Sequence, residues 1–97
     1  MYSLKPQADL EEEYVGLAKA LAHPARLRMV RLLRSMNSCI AGDLAEEVGL
    51  AASTVSQHLK QLKEAGWVQG EVDGPRRCYC INPETHARYL ELQGELL

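Results

Sequence analysis

The stretch GDLAEEVGLAASTVSQHLKQLKEAGWV, residues 42–68, decides the fold. GDLAEEVGL reads as a short helix from about Ala41 to Val48, ended at Gly49. After a turn at Leu50–Ala52, STVSQHLKQLKEAG makes a second helix to about Ala65, ended at Gly66. Val55, Leu59, Leu62 and Ala65 recur at i, i+4, i+7 and i+10, so one stripe of this helix faces a core. Its first turns expose Ser53, Thr54, Ser56, Gln57 and His58, with Lys60 further along. Short hydroxyls and an amide near a helix N-terminus are the groups that reach phosphates and base edges in a DNA major groove. Gln57 suits a bidentate pair with an adenine edge, and Ser53 and Thr54 suit phosphate.

Downstream, residues 67–72 and 76–81 are extended runs around Asp73-Gly74, a strong hairpin signal. Pro75 suits the start of an outer strand, and Arg76 and Arg77 lie just past the hairpin tip, within reach of backbone phosphate or the minor groove. Asn82-Pro83 then caps and opens a last helix over 83–96.

Upstream, residues 9–22 read as a helix with Asp9 as N-cap and three glutamates in the first turn, at the positive end of the helix dipole. Pro24 opens a second, strongly apolar helix over 24–36, and Ser38-Cys39-Ile40 is a short extended piece. The order is helix, helix, short strand, helix, turn, helix, hairpin, helix. The fold class is therefore mainly α with a small β-hairpin: one winged helix-turn-helix DNA-binding domain over 1–97.

The bulk properties agree with that class. A chain of 97 residues, 46% hydrophobic and 25% charged, with no Phe, suits a single small aliphatic core. The net charge of −2 hides a segregated pattern. Arg26, Arg28, Arg31 and Arg34 form one basic segment, and Lys60, Lys63, Arg76 and Arg77 form another. The acids gather at Asp9, Glu11, Glu12 and Glu13 and at Asp43, Glu46 and Glu47. Such segregation permits DNA binding through one face. No apolar run approaches a membrane span or a signal-peptide core, so a cytoplasmic protein without membrane contact is expected. There is no glycine-rich phosphate loop, and no histidine is set beside a cysteine by a local motif. The chain is not expected to be an enzyme.

Three segments together, AKALAHPARLRMVRLL, DLAEEVGLAASTVSQHLKQLKEAGWV and DGPRRCYCINPE, resemble the ArsR/SmtB family of small winged-helix repressors. The match is clearest over residues 14–84. The resemblance implies a homodimer built through the first and last helices. It also implies double-stranded operator DNA as partner, and release when a metal, metalloid or oxidant acts as inducer. It places Ser53, Thr54, Ser56, Gln57 and His58 on the family's recognition-helix positions. The chain departs from the pattern at Ala51 and Ala52, where the family commonly has a serine cap and a glutamine. Losing such a cap costs about 1 kcal/mol of helix stability.

Neither of two common family metal sites is intact. In a Cys-x-Cys-Asp-Leu run aligned on Asp43-Leu44, the cysteine positions are Ile40 and Gly42, and Cys39 is off by one. The last helix offers His86, Glu91 and Glu95 without the family's spaced His–Glu pairs, and His86 reads as an exposed surface histidine. That leaves Cys78 and Cys80, with Cys39. On a strand, residues i and i+2 share a face, so Cys78 and Cys80 point the same way, outward if Tyr79 and Ile81 face the core. A pair of thiolates suits a thiophilic ion, As(III) or Sb(III) first, and Arg76 and Arg77 beside them favour a thiolate role. In winged helices the extended piece before the first motif helix pairs with the second wing strand, which brings Cys39 near as a third ligand. Against that, Cys39 falls where a core leucine is common, and buried packing is its expected use. Thiol oxidation is the rival sensing mode, and a ligand-independent regulator or protein-interaction module is the remaining alternative.

Overall fold

The computed structural model describes residues 6–36, 38–41, 44–72 and 74–97. Five helices and three strands follow one another as α1 (Ala8–Leu21), α2 (Pro24–Arg34), β1 (Ile40–Ala41), α3 (Ala45–Val48), α4 (Ala52–Ala65), β2 (Val68–Glu71), β3 (Cys78–Ile81) and α5 (Pro83–Leu96). This is the order read from the sequence, with shifted boundaries. The helix-turn-helix is α3–α4, and β2–β3 is the wing.

The ends of the helices show local chemistry at work. Gly49 and Gly66 close α3 and α4 in the left-handed region, at φ +70° and +98°, where a side chain is strained. Asn82 accepts a hydrogen bond from the Glu84 amide and caps α5, with Pro83 in the first position as expected. Two caps differ from expectation. Helix α1 begins one residue before Asp9; its N-cap is Gln7, which makes no side-chain capping bond, so Asp9 acts only through its charge in the first turn. Helix α2 is capped by His23, whose Nδ1 accepts from the Ala25 amide at 3.1 Å. Helix α3 is shorter than expected and starts at Ala45, because Ile40 and Ala41 belong to the sheet.

The sheet order is β1-β3-β2, antiparallel throughout. Ile40 lies opposite Tyr79 and Ala41 opposite Cys78, while Val68 lies opposite Ile81 and Gln69 opposite Cys80. The strand carrying the cysteines is therefore central rather than outer. Pro75 is not at its start: residues 75–76 turn, and the strand begins at Cys78. A proline at position 75 leaves the ladder intact only because it precedes the paired residues. The expected Asp73-Gly74 turn lies partly outside the described residues, and Gly74 has φ +84°.

Trp67, Tyr79, Met29, Leu33, Leu44, Leu59, Leu62, Leu92 and Val55 are fully buried and anchor one apolar cluster shared by α1, α2, α4, the sheet and α5. The stripe of α4 enters it as Val55, Leu59 and Leu62, with Ala65 half-buried. Each such side chain contributes roughly 1.5–3 kcal/mol by leaving water. Helices α1 and α5 are further joined on the surface. Arg88 grips Glu13 with two bonds of 2.8 Å and also reaches Glu91, and Tyr14 and Tyr89 stack with ring centres 5.0 Å apart. His86 is half-buried and leans on Trp67 with centroids 6.4 Å apart, so it is not the exposed histidine expected.

Candidate nucleic-acid interface and the wing cysteines

The inward stripe of α4 decides what its other faces present. With Val55, Leu59 and Leu62 buried, Ser53, Gln57 and Lys60 stand exposed, and Thr54, Ser56 and His58 are half-buried. Ala51 precedes the helix in an extended conformation and supplies no side-chain cap, so the first amides of α4 have no acceptor from the capping residue. Helix N-termini in that state favour phosphate. The result is a 14-residue helix whose N-terminal half sets exposed Ser53 and Gln57 and half-buried Thr54, Ser56 and His58 around the buried Val55.

His58 differs from its neighbours. Its ring lies 4.5 Å from that of His23, and its Nδ1 is 3.4 Å from Nη1 of Arg26. Burial, and then the nearby His23 and Arg26, hold its pKa below the ordinary histidine value. The same guanidinium donates to Gln61 Oε1 at 3.1 Å and to the carbonyls of Ala20 at 2.7 Å and Lys19 at 3.4 Å. Sequence reading placed Arg26 only in a basic segment. The legible signal was HPAR itself, a histidine and an arginine flanking a helix-opening proline.

In the wing, Arg76 is exposed and Arg77 half-buried, both in the turn before β3. The strand then alternates as expected: Tyr79 is fully buried and Ile81 packs against the core, while Cys78 is exposed and Cys80 half-buried on the other side. Cys39, expected to pack in the core, is exposed. It forms a disulfide with Cys80 at a Cα–Cα distance of 4.3 Å, and Cys78 is left as a free thiol. The register explains the pairing. Extending Ile40↔Tyr79 by one residue puts Cys39 across from Cys80, both on the face opposite the buried Tyr79. Gln69 Nε2 donates weakly to Cys80 Sγ at 3.9 Å, and a cleft of about 220 Å³ between Leu33, Met36, Ser38, Ile81 and Pro83 adjoins the sulfurs. Among the described residues no three His, Cys, Asp or Glu side chains gather as a metal-binding group. The Cys-x-Cys-Asp-Leu alignment lies partly outside the described residues, at Gly42 and Asp43.

Residues 23–69 match the family model described as "bacterial regulatory protein, arsR family". The chain is 36% identical to the HTH-type transcriptional regulator YgaV of Escherichia coli K12 over 74 residues, which cover 76% of this chain and 75% of that one. The chain belongs to the arsR family. Its fold agrees with that of solved relatives. It superposes on the crystal structure of a "possible transcriptional regulator for arsenical resistance" with a TM-score of 0.64, at 34% identity, covering 82% of this chain and 81% of that one. It also superposes on the homodimeric winged helix-turn-helix DNA-binding domain of Mb0332 from Mycobacterium bovis, with a TM-score of 0.66 at 25% identity, covering 98% and 89%. As an arsR-family member the chain is a winged helix-turn-helix transcriptional regulator and not an enzyme. Among the described residues no helix is long and apolar enough to cross a membrane.

Proposed function

We propose that this arsR-family protein is a cytoplasmic, homodimeric repressor that holds operator DNA until the Cys39–Cys80 pair changes state. The observation that carries the sensing part is the meeting of Cys39 and Cys80 across β1 and β3. One sulfur stands on the segment leading into the helix-turn-helix, and the other stands in the wing. Oxidation joins the two thiols as they lose two electrons and two protons to a peroxide, which leaves as two waters. The bond ties the wing to the entry of α3, and the two DNA-contacting parts then move together or not at all. Cys39 is exposed, so oxidant and reductant both reach it.

Ser53, Thr54, Ser56 and Gln57 are the proposed contacts in the major groove, with Lys60, Arg76 and Arg77 on phosphate. Val15 on α1 and Leu90 on α5 support pairing through the first and last helices, since they are large apolar groups left 46% and 53% exposed.

A second reading rests on Cys78. It is a free, exposed thiol two residues from Cys80 on the outward side of the same strand. Once the pair is reduced, three soft donors stand near one another and suit As(III) or Sb(III).

Fluorescence anisotropy on a duplex from the protein's own promoter separates these readings. The reduced protein is expected to bind tightly and with strong salt dependence. Peroxide is expected to release it, and Cys39→Ser or Cys80→Ser to abolish that response. Release of the reduced protein by arsenite, lost in Cys78→Ser while the peroxide response persists, supports the second reading. A reduced protein that ignores both reagents sinks the sensing proposal, and one that fails to bind the duplex sinks the repressor.

A further inference from the structure

Arg26 sits where three helices meet. Its Nε and Nη2 donate to the carbonyls of Ala20 and Lys19, in the last turn of α1, where the Lys19 carbonyl also accepts from the Ala22 amide at 3.1 Å. Its Nη1 faces the other way, toward Gln61 Oε1 at 3.1 Å and His58 Nδ1 at 3.4 Å. His58 and Gln61 are three residues apart, so they share one flank of α4. That flank is distinct from the stripe of Val55, Leu59 and Leu62, which seats the helix in the core. Apolar packing resists separation of a helix from its neighbours better than it resists rocking, because it has no direction. A planar guanidinium with donors on opposite edges does have direction.

We propose that Arg26 is a positioning residue for DNA reading: it locks the flank of α4 carrying His58 and Gln61 to the α1–α2 corner, so that His58 orients the recognition helix instead of touching DNA. The inference rests on the reading of α4 as the helix that enters the groove.

The hydrogen-bond pattern dictates the state of the rings. A guanidinium only donates, so His58 Nδ1 must accept and carry no proton. His23 Nδ1 is likewise an acceptor, from the Ala25 amide. A proton on His58 Nδ1 sets a cation against Arg26 and beside His23. Lys19 and Lys60 line a groove with Arg26 and Gln61, and Glu64 is the one acid among its lining residues. Acidification therefore opens the lock. The sign is diagnostic, because a histidine that touched phosphate would bind DNA more tightly on protonation.

The test is anisotropy with the same promoter duplex and the reduced chain at constant salt, from about pH 7.5 to about pH 5, a window that reaches below the ordinary histidine value because His58 is held beneath it. The wild type is expected to lose affinity as the pH falls. His58→Asn, whose Oδ1 keeps an acceptor on α4, is expected to bind within a few-fold of wild type at the upper pH and to lose most of the pH response. Arg26→Lys, with one point charge in place of the fork, is expected to bind about tenfold more weakly at the upper pH. Histidine-ring ¹⁵N spectra of the free wild-type protein provide a readout independent of any variant's folding, and an unprotonated His58 Nδ1 is expected there. Affinity that rises on acidification through His58, wild-type binding by a folded Arg26→Lys, or a His58 ring protonated at Nδ1 overturns the lock while leaving DNA reading intact. A wild-type chain that binds no duplex removes the reading beneath it.

Discussion

The indole of Trp67 donates from Nε1 to the carbonyl of Leu17 at 3.0 Å, across fifty positions of sequence and inside the core. The bond fastens the residue that opens the wing to the middle of α1. The same ring meets Tyr89 of α5 edge-on with centroids 5.3 Å apart. Trp67→Phe removes the donor and part of the volume at a fully buried site, so a loss of about 2 kcal/mol of stability is expected. Urea unfolding of wild type and variant at one fixed protein concentration checks it.

Gly70 holds φ +106° in β2, and a Cβ there meets the carbonyl oxygen of Cys78 and lies 3.0 Å from Cα of Tyr79. Both the backbone angle and the space refuse a side chain. Gly70→Ala is expected to cost about 2–3 kcal/mol, with the damage concentrated in the wing. Hydrogen exchange of the amides of residues 68–71 and 78–81 reads it. Unchanged protection there contradicts the close approach.

Joining Cys39 to Cys80 closes a loop across a sequence separation of 41. Constraint of the unfolded chain predicts that the oxidised protein is more stable than the reduced one by about 2–4 kcal/mol. Paired urea titrations with and without reductant measure the difference, and Cys80→Ser should show none.

Glu13 is held below the usual carboxylate pKa by its hydrogen bond to Arg88, assisted by the charge of that guanidinium. The unfolded chain then binds a proton more readily than the folded one. The contribution is fully present above the unfolded carboxylate value and is lost as pH falls through the lower folded value. Glu13→Gln should therefore flatten the acid limb of the stability curve between about pH 5 and about pH 3, with wild type and variant converging at the acid end.

Much of the architecture was written in local rules. Gly49 and Gly66 stop helices because glycine takes the left-handed turn without strain, and Asn82-Pro83 starts one by capping and by a preset φ. The stripe Val55, Leu59, Leu62 sets which face of α4 is polar, and the alternation at Tyr79 and Ile81 sets which face of β3 carries sulfur. Periodicity reports facing, so these features needed no coordinates.

What the tertiary structure alone decided concerns pairs distant in sequence. Cys39 belongs to the exposed face and to Cys80 because a two-residue strand pairs in one register with β3, and a slip of one residue reverses every side chain. Arg26 reaches His58 and Gln61, 32 and 35 positions away, because α1, α2 and α4 converge at the corner that HPAR makes. The sequence by itself determined the helices, the wing and the polar face of α4, because those depend on neighbours along the chain. Which thiols meet, and what turns His58 away from its exposed neighbours, depended on register and helix packing, which are settled only when the core closes.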